Sequence, residues 1–221
     1  MSSLAAALAF WFPVPCAGCG VEGRLLCASC RARLTPDLVT RPVAGVGAVA
    51  SGLRYDGVAR SALLVLKEHG ATGVATVLAA PFATAVSAAL AGVPEPEGLV
   101  LAAVPSTRAA RRRRGFEPVR VLAGRAGIRL APLFAPARPH AAQKGLGIDE
   151  RAHNLAGVFA LARTVTGLRV VLLDDVVTTG ATLAAAAAAL RTGGAHVVGA
   201  AVLADTVRRD EHSSATSSFN P

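Results

Sequence analysis

The sequence predicts an α/β fold, a parallel sheet with flanking helices, and a small four-cysteine segment on its N-terminal side. Three observations carry this. The apolar run 170–173 ends in two acids, Asp174 and Asp175. It then passes through a Gly-containing turn into the alanine-rich stretch 181–190, and alanine has the highest helix propensity. A second apolar run, 197–203, follows Gly193-Gly194 and closes a strand–helix–strand unit. Both runs are apolar at successive positions, as strands covered on both faces require. All four cysteines lie within the first thirty residues.

In chain order, residues 4–12 read as a short apolar helix ending at Pro13. Residues 31–44 read as a linker. A weak strand is expected over 46–53, then helices over 59–66 and 74–90, the second with Pro81 as a kink. Residues 99–104 form a strand that stops at Pro105. Beyond it come Ser106, Thr107 and Arg108, then Arg111 to Arg114, Gly115 and Phe116, read as a basic loop. A helix over 119–126 follows. Residues 143–155 read as a polar, Gly-containing loop leading into a short helix from Asp149, and 158–161 as a short strand. The expected organisation is an N-terminal segment, 1–44, a main domain, 45–208, and a disordered tail, 209–221.

Chemistry concentrates where the organising strand ends. Sheets of this class bind ligands beyond the carboxyl ends of their strands. A turn entering a helix presents unpaired backbone N–H groups that suit phosphate. Val177, Thr178, Thr179, Gly180, Ala181 and Thr182 form such a turn, with three hydroxyls, directly after Asp174 and Asp175. Acids beside a phosphate nest fit a phosphorylated sugar. The plain alternative is an acidic strand end with threonines capping a helix. Ser106, Thr107 and Arg108 make a second candidate anion site, and the neighbouring arginines offer many donors to phosphate oxygens. A solvated basic loop or nucleic-acid contact are the other readings there. Lys67 and His69, near a helix end, read as partners of the helix dipole.

Cys16, Cys19, Cys27 and Cys30 form two C-x-x-C pairs separated by seven residues. Four thiolates so spaced can close a tetrahedral S4 site, which favours structural zinc. An iron–sulfur centre, a redox pair and disulfides are the alternatives, the last requiring an oxidising compartment that nothing else indicates.

The run from Leu172 to Thr182 resembles the phosphoribosyl-pyrophosphate signature of type I phosphoribosyltransferases. With the four-cysteine knuckle, Val104-Pro105 and the following arginines, Gly115-Phe116, and the stretch from Gln143 through Arg151 to Asn154-Leu155, the chain resembles the ComF-like, competence-associated family. That resemblance implies a type I phosphoribosyltransferase fold with a zinc-bearing extension. It also implies binding of 5-phosphoribosyl 1-pyrophosphate with magnesium. On the matching positions, Asp174 and Asp175 would meet the ribose 2- and 3-hydroxyls. Residues Thr178 to Thr182 would hold the 5-phosphate, Ser106, Thr107 and Arg108 the pyrophosphate, and Arg151 would help close the site. The sequence departs from the family in Glu117-Pro118, where Asn-Gln is usual, and in Lys67-Glu68-His69-Gly70, where Lys-Tyr is usual.

Bulk properties narrow the class. Of 221 residues, 52% are hydrophobic and 17% charged, which excludes a disordered chain. A net charge of +9, almost all from arginine, permits polyphosphate or nucleic-acid partners. No unbroken apolar run of roughly 18 residues argues for an integral membrane span. The apolar start lacks a basic n-region, so a cytoplasmic protein is expected. Two functions therefore stand. One is transfer of a phosphoribosyl group to an acceptor that the sequence does not identify. The other is a non-catalytic sensor of phosphoribosyl pyrophosphate or a nucleotide, or an accessory that binds single-stranded DNA. The oligomeric state is left open, a homodimer included.

Overall fold

A computed structural model describes residues 15–94, 98–135 and 159–206. Helix α1 (Ala28–Ala32) follows the cysteine loops. The main body contains β1 (Val39–Val43), β2 (Gly47–Arg54), α2 (Gly57–His69), α3 (Gly73–Ala91), β3 (Leu99–Ala103) and α4 (Arg108–Arg114). It continues with α5 (Pro118–Arg125), β4 (Arg169–Val177), α6 (Ala181–Thr192) and β5 (His196–Asp205). The five strands form one sheet in the order β1-β2-β5-β4-β3. Strand β1 pairs antiparallel with β2, and the remaining pairs are parallel.

Alternation along the central strands explains the layering. Val171, Leu173, Ala201 and Leu203 turn to one face, where α2, α3, α5 and the cysteine segment cover them. Val170, Leu172, Ala200 and Val202 turn to the other, under α6, Leu133 and Val165. Successive strand residues point to opposite faces, so two covered faces demand continuous apolar runs. That is what β4 and β5 supply.

Helix α3 passes very close to β2. A side-chain carbon at Gly52 would lie 2.0 Å from the Pro81 carbonyl oxygen, so the contact requires glycine. By length and composition α3 could cross a membrane. Its residues Val74, Leu78, Phe82 and Ala85 are instead core, packed with strand residues of the sheet.

Three expectations change. The stretch read as a linker takes in the last two residues of α1 and the whole edge strand β1. Pro42 suits an edge, because a proline cannot donate to a ladder and blocks further pairing. The basic loop after Ser106 is a helix, α4, with Thr107 as its N-cap accepting from the Ala110 N–H at 3.3 Å. Arginine is a good helix former, and its charge suits the last turn. Within the described residues, the strand expected at 158–161 reduces to one antiparallel bridge between Phe134 and Leu161. The expected apolar helix at 4–12, the loop at 143–155 and the tail from 209 lie outside the described residues.

Candidate functional site

Parallel register brings the carboxyl ends of β3, β4, β5 and β2 to one edge. Ala103 pairs with Leu173, and Val177 pairs with Asp205. Asp174 and Asp175 therefore stand beside the loop that follows β3 and carries Ser106. Both acids are half-buried, whereas Thr178, Thr179, Ala181 and Thr182 are exposed. The turn after the strand is thus open to solvent.

The two acids differ. Asp175 makes an ion pair with Lys67 in the last helical turns of α2, Nζ to Oδ1 at 2.7 Å. Lys67 thus serves a carboxylate 108 residues away rather than only the dipole of its own helix. Tyr55, just before α2, donates its N–H to the Asp205 carbonyl. Both ends of α2 therefore meet the carboxyl edge, and the helix lies along it. Asp174 accepts the Asp175 N–H at 2.8 Å. Burial pushes its carboxyl up to about 8. The Asp175 charge adds to the rise, the Asp175 N–H and Lys67 oppose it, and Glu117 adds again. A carboxyl held that high keeps its proton at neutral pH, and Asp174 stands beside the Asp175 oxygens that Lys67 pairs. That combination can both donate to and accept from a vicinal diol.

The turn itself is braced from behind. Gly180 adopts a left-handed conformation, with φ of 82°, and begins α6. A side-chain carbon there would meet Val43 of β1 at 2.3 Å. Ala181 donates its N–H to the Thr179 hydroxyl at 3.3 Å. The first N–H groups of α6 lack intrahelical partners and lie at the positive end of its dipole. Arg41, also on β1, donates to both Asp205 carboxylate oxygens, at 2.6 and 3.1 Å, and to the Thr178 carbonyl at 2.9 Å. Asp205 is 4% exposed. One guanidinium thus ties the edge strand, the end of β5 and the turn together.

On the β3 side, the Ser106 N–H donates to Glu117 Oε2 at 3.3 Å, and Arg114 donates to the Ser106 hydroxyl at 3.0 Å. Arg108 begins α4, and with Ser106, Arg111, Glu117 and Arg120 it lines a cavity of about 110 Å³. The structure brings together Asp174, Asp175, Ser106, Thr107, Arg108 and the turn from Val177 to Thr182 at one edge. Arg151 lies outside the described residues.

A family model described as phosphoribosyl transferase domain matches residues 78–220. The chain belongs to that family. No curated protein matched it. The matched span takes in β3, α4, β4, α6 and β5, and so both the Ser106 loop and the acidic pair. The phosphoribosyl transferase domain supports phosphoribosyl transfer as its general activity, and the mostly parallel sheet with flanking helices is the type I form of that fold.

The cysteines gather as the spacing requires. Ligand atoms of Cys16, Cys19, Cys27 and Cys30 all lie within 4.8 Å of one another, and the Cys19 and Cys27 sulfurs are 3.8 Å apart. Tetrahedral zinc with Zn–S bonds of about 2.3 Å sets its sulfurs roughly 3.8 Å apart, so the cluster fits that ion. Burial would raise the Cys16 thiol, but N–H groups of Cys27, Gly18 and Cys19 bring it down to about 6. Burial and the neighbouring thiols push Cys30 up to about 12. Such mutual opposition among clustered sulfurs is what a bound cation relieves.

Lys67, Glu117, Arg114 and Arg41 are the site residues that sequence reasoning missed in these roles. Lys67 carried a signal, as one of two lysines in a chain whose cations are otherwise arginine, and Glu117 carried one as a departure from the family pattern. Arg41 carried none, because it lies in a stretch that reads as linker.

Proposed function

We propose that this chain is a ComF-like phosphoribosyltransferase. It binds 5-phosphoribosyl 1-pyrophosphate and transfers the phosphoribosyl group to a nucleophile yet to be identified. One observation carries the reading. A half-buried acidic pair at the end of β4 runs directly into an exposed turn and helix start, beside a second polar loop from the adjacent parallel strand. Asp174 and Asp175 engage the ribose 2- and 3-hydroxyls. The turn from Val177 through Thr178, Thr179, Gly180 and Ala181 to Thr182 holds the 5-phosphate on backbone N–H groups. Ser106, Thr107 and Arg108 hold the pyrophosphate, and Arg151 helps to close the site.

The reaction asks mainly for charge placement. As pyrophosphate departs from C1, positive charge grows on the ring, and the acidic pair complements it while arginines receive the departing oxygens. Magnesium, brought in on the pyrophosphate, would supply further neutralisation of that charge. The hard oxygen donors at the strand end suit that ion. The four cysteines would hold zinc in a structural role, and a cytoplasmic setting keeps their thiols reduced.

Calorimetry of phosphoribosyl pyrophosphate with magnesium tests the reading. Saturable binding is expected for the wild type, and loss of that binding for Asp174→Asn combined with Asp175→Asn. Unchanged binding by the double variant would mean that the acids have been assigned the wrong task.

A further inference from the structure

The loop after β3 holds a feature that phosphoribosyl transfer does not require. A loop N–H at this edge is an anion donor, yet the Ser106 N–H is taken by the Glu117 carboxylate at 3.3 Å. Around it the site is built for negative charge. Arg108, Arg111 and Arg120 line the same cavity as Ser106 and Glu117, and Glu117 is the one acid among the residues lining it. None of these three arginines pairs with a carboxylate among the described residues. Arg114 holds the Ser106 hydroxyl, while its buried Nε has no partner there. The Glu117 charge also reaches across to Asp174 and helps to raise its carboxyl.

We propose that Glu117 is an internal occupant of this anion site. Its carboxylate holds the Ser106 N–H in the free protein and must leave before the pyrophosphate group of a substrate can bind there. The inference rests on Ser106, Thr107 and Arg108 being the pyrophosphate subsite. Glu117 thereby sets a low affinity for pyrophosphate, because an arriving polyanion must displace a like charge from a donor that it needs. A glutamine of the same shape could still accept the Ser106 N–H but would not repel the ligand. Glu117 is the N-cap residue of α5 without making a side-chain cap hydrogen bond, so its replacement leaves the start of that helix intact.

The experiment is calorimetric titration of inorganic pyrophosphate with magnesium into the full chain, comparing wild type with Glu117→Gln and Glu117→Ala. Thermal melting confirms that each variant is folded, and either folded variant suffices. Binding tighter than wild type by about tenfold is expected, the scale of one removed like-charge contact at intermediate dielectric. Equal or weaker binding by the variants, with the wild type binding measurably, overturns the internal occupant and leaves the phosphoribosyl reading standing. Binding by none of the three proteins overturns both.

Discussion

Asp174 is where the site's chemistry and the fold's stability oppose each other. Its carboxyl is raised from 3.8 to about 8, first by burial and then by the charge of Asp175. Between those values the folded chain keeps a proton that the unfolded chain releases. Stability from this group therefore falls as pH rises through that window, and is fully present below 3.8. Asp174→Asn removes the titration. Its melting temperature should exceed that of the wild type by a margin that grows steadily toward pH 8, while ligand binding is weakened. Melting curves at a series of pH values check this, and a margin independent of pH would refute the raised carboxyl.

Among the elements, the edge strand β1 contributes most that was not visible in the sequence. Strands β4 and β5 and helix α6 were legible because continuous apolar runs and an alanine-rich stretch leave few other structures open to them. In β1 every residue but Val43 is at least partly exposed, and Arg41 and Pro42 interrupt its apolar character. Its identity comes from pairing with β2, which no local pattern records. The same holds for Lys67, whose partner is set by where α2 lies on the sheet edge. Strand β1 positions the turn after β4 through Val43 behind Gly180 and through Arg41 on Thr178 and Asp205. Removing Arg41 would leave the Asp205 carboxylate buried without its cation. Arg41→Ala should therefore destabilise the chain by about 3 kcal/mol, as loss of one partner of a buried pair does. Adding Asp205→Asn should recover part of that loss, since the stranded charge is then gone. Denaturant unfolding of both single variants and the double variant measures the coupling. Strict additivity would show that the pair does not act as a unit.

Across the whole molecule, the cysteine segment is part of the main core rather than an appendage. Cys16, Ala17, Leu26 and Cys30 belong to the same apolar cluster as α2, α3, α5 and one face of the sheet. Gly18 sits so close to Cys30 and Val58 that a side-chain carbon there would meet the Cys30 sulfur at 2.6 Å. Helix α2, whose first turn carries Val58, is also the helix that delivers Lys67 to Asp175. A metal held by the four sulfurs is thus linked through one packed helix to the acidic pair. Zinc bound only by the folded chain stabilises that chain by linkage. The purified protein should contain one zinc per chain, and a strong chelator should lower its single melting transition by about 5 °C or more. Because Cys16 and Cys30 are buried and Cys19 is exposed, serine at either buried position should cost more stability than serine at Cys19. Metal analysis finding no zinc, or a melting curve indifferent to chelation, would separate the knuckle from the stability of the sheet and leave Lys67 to be positioned by apolar packing alone.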